Sequence, residues 1–342
     1  MTTATSHPFS PVELAWIHSE TSANPPITTV ALVCEEALDP AGVKSRLEDR
    51  LLAETRLRQR IGHSHRPLSR PRWQEHEEFQ LSDHFFRVDL RDRPNERALA
   101  EWIDHLGSQP LDETRPLWQV HLAALAGGGS AVVFRLHAAV ADSRAAGMLA
   151  LRLLDGDSPP ALTEIGLEHS IERRHLRARV GRTAAATRML CQLITSRVDA
   201  DSPFRRQPTG PKKLRWSEPV ALNGRQPATT GQLLGAVAGS LRKAAQRQDM
   251  PAEDIELRAI VSLDLRDGED PLVGTRAALG LLRLPVSVAS HTARTTTVEE
   301  EIDRLARTPE DFTLLGCETG LGLSMSEIEE RSLRLLSQKA TV

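Results

Sequence analysis

The chain contains no tyrosine, only three cysteines in 342 residues, and an aromatic content of 4%. Without tyrosine, no phenol is available as a catalytic acid. Cys34, Cys191 and Cys317 are odd in number, far apart and outside any CxxC spacing. That pattern excludes a disulfide scaffold and a cysteine zinc site, and it fits reduced thiols in a cytoplasmic setting. No run of 18 apolar residues occurs, so the sequence predicts no membrane-spanning helix. The first eleven residues lack the basic and apolar regions of a signal peptide. Neither sign of charge is in excess: 43 Lys and Arg against 46 Asp and Glu give a net charge of −3. A nucleic-acid partner is therefore not expected. The GxSxG, Walker A and GxGxxG patterns are missing. His63 and His65 flank Ser64 in a basic stretch without nearby Cys or carboxylate partners, so no metal is expected there.

What remains is a globular chain, 40% hydrophobic and 26% charged, long enough for two domains. Ile27 to Glu36 is β-branched and apolar and predicts a strand. Asp39 followed by Pro40 predicts a capped helix with Leu47, Leu51 and Leu52 on its apolar stripe. Phe85 to Leu90 predicts a short strand, and Pro94 to Leu106 a helix ending at Gly107. Two strands, Trp118 to Leu125 and Ala131 to Leu136, flank Gly127-Gly128-Gly129-Ser130 as a hairpin. A helix then runs to Leu154, capped by Asp142 or Ser143.

Ile171 to Val198 is strongly basic, with Arg173, Arg174, Arg177, Arg179, Arg182, Arg188 and Arg197. Its apolar residues recur at helical spacing. Pro203, Pro208, Gly210 and Pro211 mark a linker. Beyond it, strands are expected over Leu214–Leu222, Glu256–Leu265 and Ala277–Val288. Helices are expected over Thr229–Gln248, Val298–Ala306 and Met325–Leu336. This reading divides the chain into an N-terminal domain over 1–158, a basic helical linker over 159–211 and a C-terminal domain over 212–342.

The segment with the most chemistry is Arg135-Leu136-His137-Ala138-Ala139-Val140-Ala141-Asp142-Ser143. It reads as a strand end, a short loop and a helix start. It resembles the HHxxxDG motif of condensing acyltransferases, with Ala138 at the second His and Ser143 at the Gly. Other segments follow in order: Pro8-Phe9-Ser10-Pro11-Val12 with Asn24-Pro25, then Ser108-Gln109-Pro110-Leu111-Asp112 with Arg115-Pro116-Leu117-Trp118. Arg215-Trp216-Ser217 comes next, then Val261-Ser262-Leu263-Asp264-Leu265-Arg266 with Gly274. Together they resemble the bacterial wax ester synthase/diacylglycerol O-acyltransferase family.

The resemblance implies an α/β fold of two chloramphenicol-acetyltransferase-like domains, mixed sheets flanked by helices. It implies acyl transfer from long-chain acyl-CoA to a fatty alcohol or diacylglycerol, with acyl-CoA as substrate and no cofactor. In the family the second His is the general base, so Ala138 marks a missing base. General base catalysis contributes roughly 10²–10⁴-fold. His137 has two readings: a substitute base, or a core histidine held by backbone or a carboxylate. Asp142 also has two: a bidentate partner of Arg266 across the domain junction, or the cap of the following helix. Ser143, Gly231, Gln232, Gly274 and Thr275 correspond to groove positions, and Gly231-Gln232 and Thr275 depart from the family's residues there. The small residues from Gly231 to Gly239 suit either an acyl channel or tight helix packing. Residues 171–198 suit either a peripheral helix on a membrane or lipid droplet or a connector with solvated arginines. The chain stops at Val342, about where the family continues into an SNVPGP segment, so an incomplete second domain is expected. Three functions fit: an impaired O-acyltransferase, a non-catalytic acyl-CoA- or lipid-binding or regulatory pseudoenzyme, or a truncated, decayed copy.

Overall fold

The structure is a computed structural model. It describes residues 7–10, 13–14, 16–17, 20–21, 24–62, 71–92, 96–154, 204, 213, 229–264, 273–275 and 277–307. Outside these residues lie the basic segment 171–198, the linker marks Pro203, Pro208, Gly210 and Pro211, the expected strand over Leu214–Leu222 with Arg215-Trp216-Ser217, His63 and His65, Arg266, and the helix over Met325–Leu336.

The chain divides into two compact units. The first takes Met1–Pro159, Thr209–Glu218 and Asp270–Thr275; the second takes Pro160–Pro208, Pro219–Glu269 and Arg276–Val342.

In chain order the first unit carries β1 (His7–Pro8), β2 (Ile27–Cys34), α1 (Pro40–Arg50), β3 (Gln59–Gly62), β4 (Arg72–Glu75) and β5 (Phe85–Asp89). It continues with α2 (Glu96–Gly107), β6 (Trp118–Ala124), β7 (Ser130–His137) and α3 (Ser143–Leu154). Its main sheet has the order β2-β7-β6-β5, antiparallel except for the parallel β5–β6 pair. A smaller sheet has the order β1-β4-β3.

β7 is the central strand and all eight of its residues are buried. Side chains alternate across a strand, and here both faces are covered. Val132, Phe134 and Leu136 join the core containing Val43 and Leu47 of α1 and Leu149 of α3. Ala131 and Val133 join the core containing Leu99, Ile103 and Leu106 of α2. Arg135 and His137 share the α2-facing side and are its polar exceptions. The β6–β7 turn works because Gly127 and Gly128 take φ of 83° and 90°, where side-chain-bearing residues are strained. The Asp39 carboxylate accepts from the Gly42 amide at 2.8 Å and caps α1, a contribution of about 1 kcal/mol.

The second unit carries α4 (Thr230–Gln246), β8 (Leu257–Asp264), β9 (Ala277–Leu284) and α5 (His291–Arg307). β8 and β9 pair antiparallel. Ala259, Leu282, Val298 and Ile302 form its core with Ala238 of α4. α5 starts seven residues before the expected Val298, because the Ser290 hydroxyl and carbonyl accept from its first turn. β9 stops at Leu284, short of the expected Val288, where Pro285 ends the ladder. No helix among the described residues is long and apolar enough to cross a membrane.

Candidate active site

The motif loop leaves β7 at His137 and enters α3 at Ser143. Its backbone is held from several sides. The His137 amide donates to the Leu117 carbonyl at 3.0 Å, and the Ala138 amide to the Pro26 carbonyl at 2.8 Å. The Val140 and Ala141 amides both turn back to the His137 carbonyl, at 2.8 and 3.2 Å. The Gly274 amide donates to the Val140 carbonyl at 2.9 Å, and Gly274 forms a parallel bridge with Ala141. The Thr275 hydroxyl donates to the Ala138 carbonyl. Leu117, Gly274 and Pro26, the residue after Asn24-Pro25, thus meet the motif loop.

His137 is fully buried. Its Nδ1 accepts from the Ala139 amide at 3.0 Å. An amide N–H can only donate, so Nδ1 presents its lone pair and the neutral ring carries its proton on Nε2. Nε2 stands 3.4 Å from Oε2 of Glu20, in ion-pair reach but without hydrogen-bond alignment. Ala138 is half-buried and supplies only a methyl group.

Asp142 caps α3: its Oδ1 accepts from the Ala145 amide at 2.9 Å and its carbonyl from the Ala146 amide at 2.8 Å. The predicted partner Arg266 lies outside the described residues. Ser143 is the first residue of α3 and is exposed. Gly274 and Thr275 belong to the first unit together with the motif loop, whereas Gly231 and Gln232 belong to the second unit. Gln232 completes a capping box with Thr229 at 3.1 Å in each direction. A Cβ on Gly231 would lie 2.3 Å from Cγ of Glu299 on α5, so that glycine permits close helix packing.

Arg135 lies two residues before His137 on the same face of β7. It is 1% exposed. Nη1 donates to Oε1 of Gln119 at 2.6 Å and Nη2 to the Gln109 carbonyl, while Nε is buried without a partner. Burial pulls its pKa down to about 10, so the cation persists at neutral pH. Gln109 follows the end of α2, where carbonyls gather negative partial charge. That field and the two neutral acceptors offset the cost of burying a cation without a carboxylate. Burial first, and the Arg135 charge second, push His121 down to about 4. Sequence reasoning did not single out Arg135, Glu20 or Gln119. Arg135 carried a readable signal, an arginine inside the apolar strand Ala131 to Leu136. Glu20 carried none.

Ala138 carries no proton-accepting group, and the Nδ1 lone pair of His137 is occupied by the Ala139 amide. The amides of residues 138 to 141 all donate internally, so that stretch keeps none for an oxyanion. Among the described residues no cluster of His, Cys, Asp and Glu is arranged to hold a metal ion.

The family model of the wax ester synthase/diacylglycerol acyltransferase catalytic domain matches residues 9–266. A Mycobacterium bovis protein named as a diacylglycerol O-acyltransferase is 33% identical over 139 residues, 40% of this chain and 29% of that protein. A Mycobacterium tuberculosis protein of the same named activity is 27% identical over 247 residues, 63% of this chain and 52% of that protein. The chain thus matches about half or less of the length of these relatives. Among solved structures, a variant of the starter condensation domain of rhizomide synthetase, in complex with C8-CoA and Leu-SNAC, has a TM-score of 0.63 at 17% identity. That likeness covers 98% of this chain and 76% of the other. The first condensation domain of the calcium-dependent antibiotic synthetase has a TM-score of 0.57 at 16% identity, covering 90% and 76%. The fold is the α/β condensation-domain fold.

Proposed function

The chain belongs to the wax ester synthase/diacylglycerol acyltransferase family, and from that membership we propose an acyl-CoA-dependent O-acyltransferase whose transfer step is impaired at Ala138. The substrates are long-chain acyl-CoA and the hydroxyl of a fatty alcohol or a diacylglycerol. In such a transfer the alcohol oxygen attacks the thioester carbonyl, the C–S bond breaks and free thiol leaves. The alcohol must lose its proton as the C–O bond forms. A histidine accepts such a proton near neutral pH; a methyl group cannot. The observation that carries the reading is the state of His137, whose Nδ1 is engaged by the Ala139 amide. The adjacent imidazole is therefore not presented as a replacement base.

The same observation favours a second reading, an acyl-CoA- or lipid-binding protein that regulates rather than turns over. The amides of residues 138 to 141 are all hydrogen-bonded, which supports a loop that holds its shape with Ala138 in place. One experiment separates the two. The chain and its Ala138→His variant are given long-chain acyl-CoA with fatty alcohol or diacylglycerol, and free thiol is followed. The expected result is release near background for the native chain and a gain of roughly 10²–10⁴-fold in the variant. Native release well above background that His137→Ala abolishes overturns the impaired reading. Binding of acyl-CoA with no turnover in either protein favours the regulatory one. Peripheral attachment through residues 171–198 is tested by flotation on anionic vesicles with and without that segment.

A further inference from the structure

We infer that Glu20 is a positioning residue for the motif loop: its carboxylate selects the His137 tautomer that latches the loop. The inference concerns loop geometry and does not depend on turnover.

Two observations meet at His137. Its Nδ1 lone pair receives the Ala139 amide at 3.0 Å, a bond that closes the first turn after β7. This requires the proton of the neutral ring to sit on Nε2. Among the described residues the buried Nε2 finds no aligned acceptor, and the Glu20 carboxylate stands 3.4 Å away. A buried N–H without an acceptor is costly. In isolation the ring would escape that cost by moving the proton to Nδ1 or rotating, and either change breaks the Ala139 bond. A carboxylate facing Nε2 removes the incentive, because it favours a proton on that nitrogen. Glu20 is well placed for this. Its side chain is 17% exposed and brings Oε2 to within 3.4 Å of the ring. Its own backbone is anchored, with its amide donating to the Ile17 carbonyl at 3.3 Å. The Asn24 amide donates to the Thr21 carbonyl at 3.0 Å, and two residues on Pro26 receives the Ala138 amide. Glu20 thus acts on the loop through the ring of His137, while the chain that follows Glu20 holds the next peptide directly.

The test is nitrogen NMR of the full chain labelled at histidine, with amide exchange of Ala139 as a second readout. The native protein and Glu20→Gln, whose amide oxygen still accepts, are expected to show His137 with a bare Nδ1 and a protonated Nε2. Glu20→Leu is expected to populate the other tautomer and to speed Ala139 exchange roughly two- to tenfold, the scale of one net hydrogen bond. The amide of Val133, inside the sheet, should keep its protection and reports that the variant is folded. Glu20→Ala repeats the comparison should leucine misfold the chain. A native ring protonated at Nδ1 overturns the proposal. So does a folded Glu20→Leu or Glu20→Ala with native tautomer and native Ala139 exchange. A merely structural Glu20 would alter stability without moving the tautomer.

Discussion

His121 sits between two aromatic rings, stacked on Phe86 at 5.0 Å and edge-on to Trp102 at 5.5 Å. Among the described residues its hydrogen-bond partner is Gln119 at 3.4 Å. Burial and the nearby Arg135 hold its pKa at about 4, against about 6.5 in an unfolded chain. Between those values the unfolded state binds the extra proton, so stability is intact above the unfolded pKa and falls as pH drops towards 4. Going from pH 8 to pH 5 should cost about 2 kcal/mol through this residue. His121→Phe should flatten that part of the profile, measured by denaturant unfolding at both pH values; an unchanged slope sinks the assignment. A second residue-scale expectation concerns Gly274, whose φ is 115°. Among the described residues nothing lies within 4 Å of a Cβ built there, so Gly274→Ala meets no clash with them. The cost is backbone strain alone, about 1–3 kcal/mol, read as a fall in unfolding free energy with no change in m-value.

α4 and α5 show how one spacing of glycines gives unequal constraints. A Cβ on Gly235 would meet Thr295 at its backbone nitrogen, 3.2 Å, and at its Cα, 3.3 Å. Backbone cannot step aside without moving the helix. Arg294, one residue earlier, is buried and fastens the pair, donating from Nε to the Gly235 carbonyl at 3.0 Å. A Cβ on Gly231 would meet only the flexible, exposed side chain of Glu299. Gly235→Ala should therefore destabilise by about 1–3 kcal/mol. Gly231→Ala should destabilise less than Gly235→Ala, because the crowded atoms belong to a side chain rather than to backbone. Thermal unfolding of both variants checks this; equal losses would mean that the two helices pack differently. The same elements show what sequence could tell. The small-residue stripe of α4 was legible, as were β2, β5, α2 and the β6–β7 hairpin, because period and turn chemistry agree there. The start of α5 was not, because Thr295, Thr296 and Thr297 obscure its helical pattern. β3 and β4 have four residues each, too few for a period to emerge. At the site, the cap role of Asp142 follows from its residue type before a helix. Glu20 is 117 positions from His137 with no pattern joining them, so only the fold reveals that pairing.

At the scale of the molecule, the first unit is not one continuous stretch. Residues 270–275 return to it after the chain has built β8 of the second unit. The returning segment is tied to the motif loop by the Gly274 amide and the Thr275 hydroxyl, the latter 137 residues from its acceptor. Closing a free loop of that length costs about 4 kcal/mol in chain entropy. Two hydrogen bonds, at about 1 kcal/mol each net, do not offset that. The missing stabilisation is apolar: Val273 is 6% exposed and packs in the first unit's main core, a burial worth about 1.5–3 kcal/mol. The anchor should therefore outweigh the latch. The four described tryptophans, Trp16, Trp73, Trp102 and Trp118, fall in the first unit, so tryptophan fluorescence is a readout of that unit. In urea, Val273→Ser should lower the fluorescence-detected stability by about 2–3 kcal/mol, combining lost burial with an added hydroxyl. Thr275→Val, which keeps shape and removes one donor, should cost about 1 kcal/mol. If Thr275→Val proves the more damaging, the returning segment is held by its polar contacts to the motif loop and the ordering derived from burial is wrong.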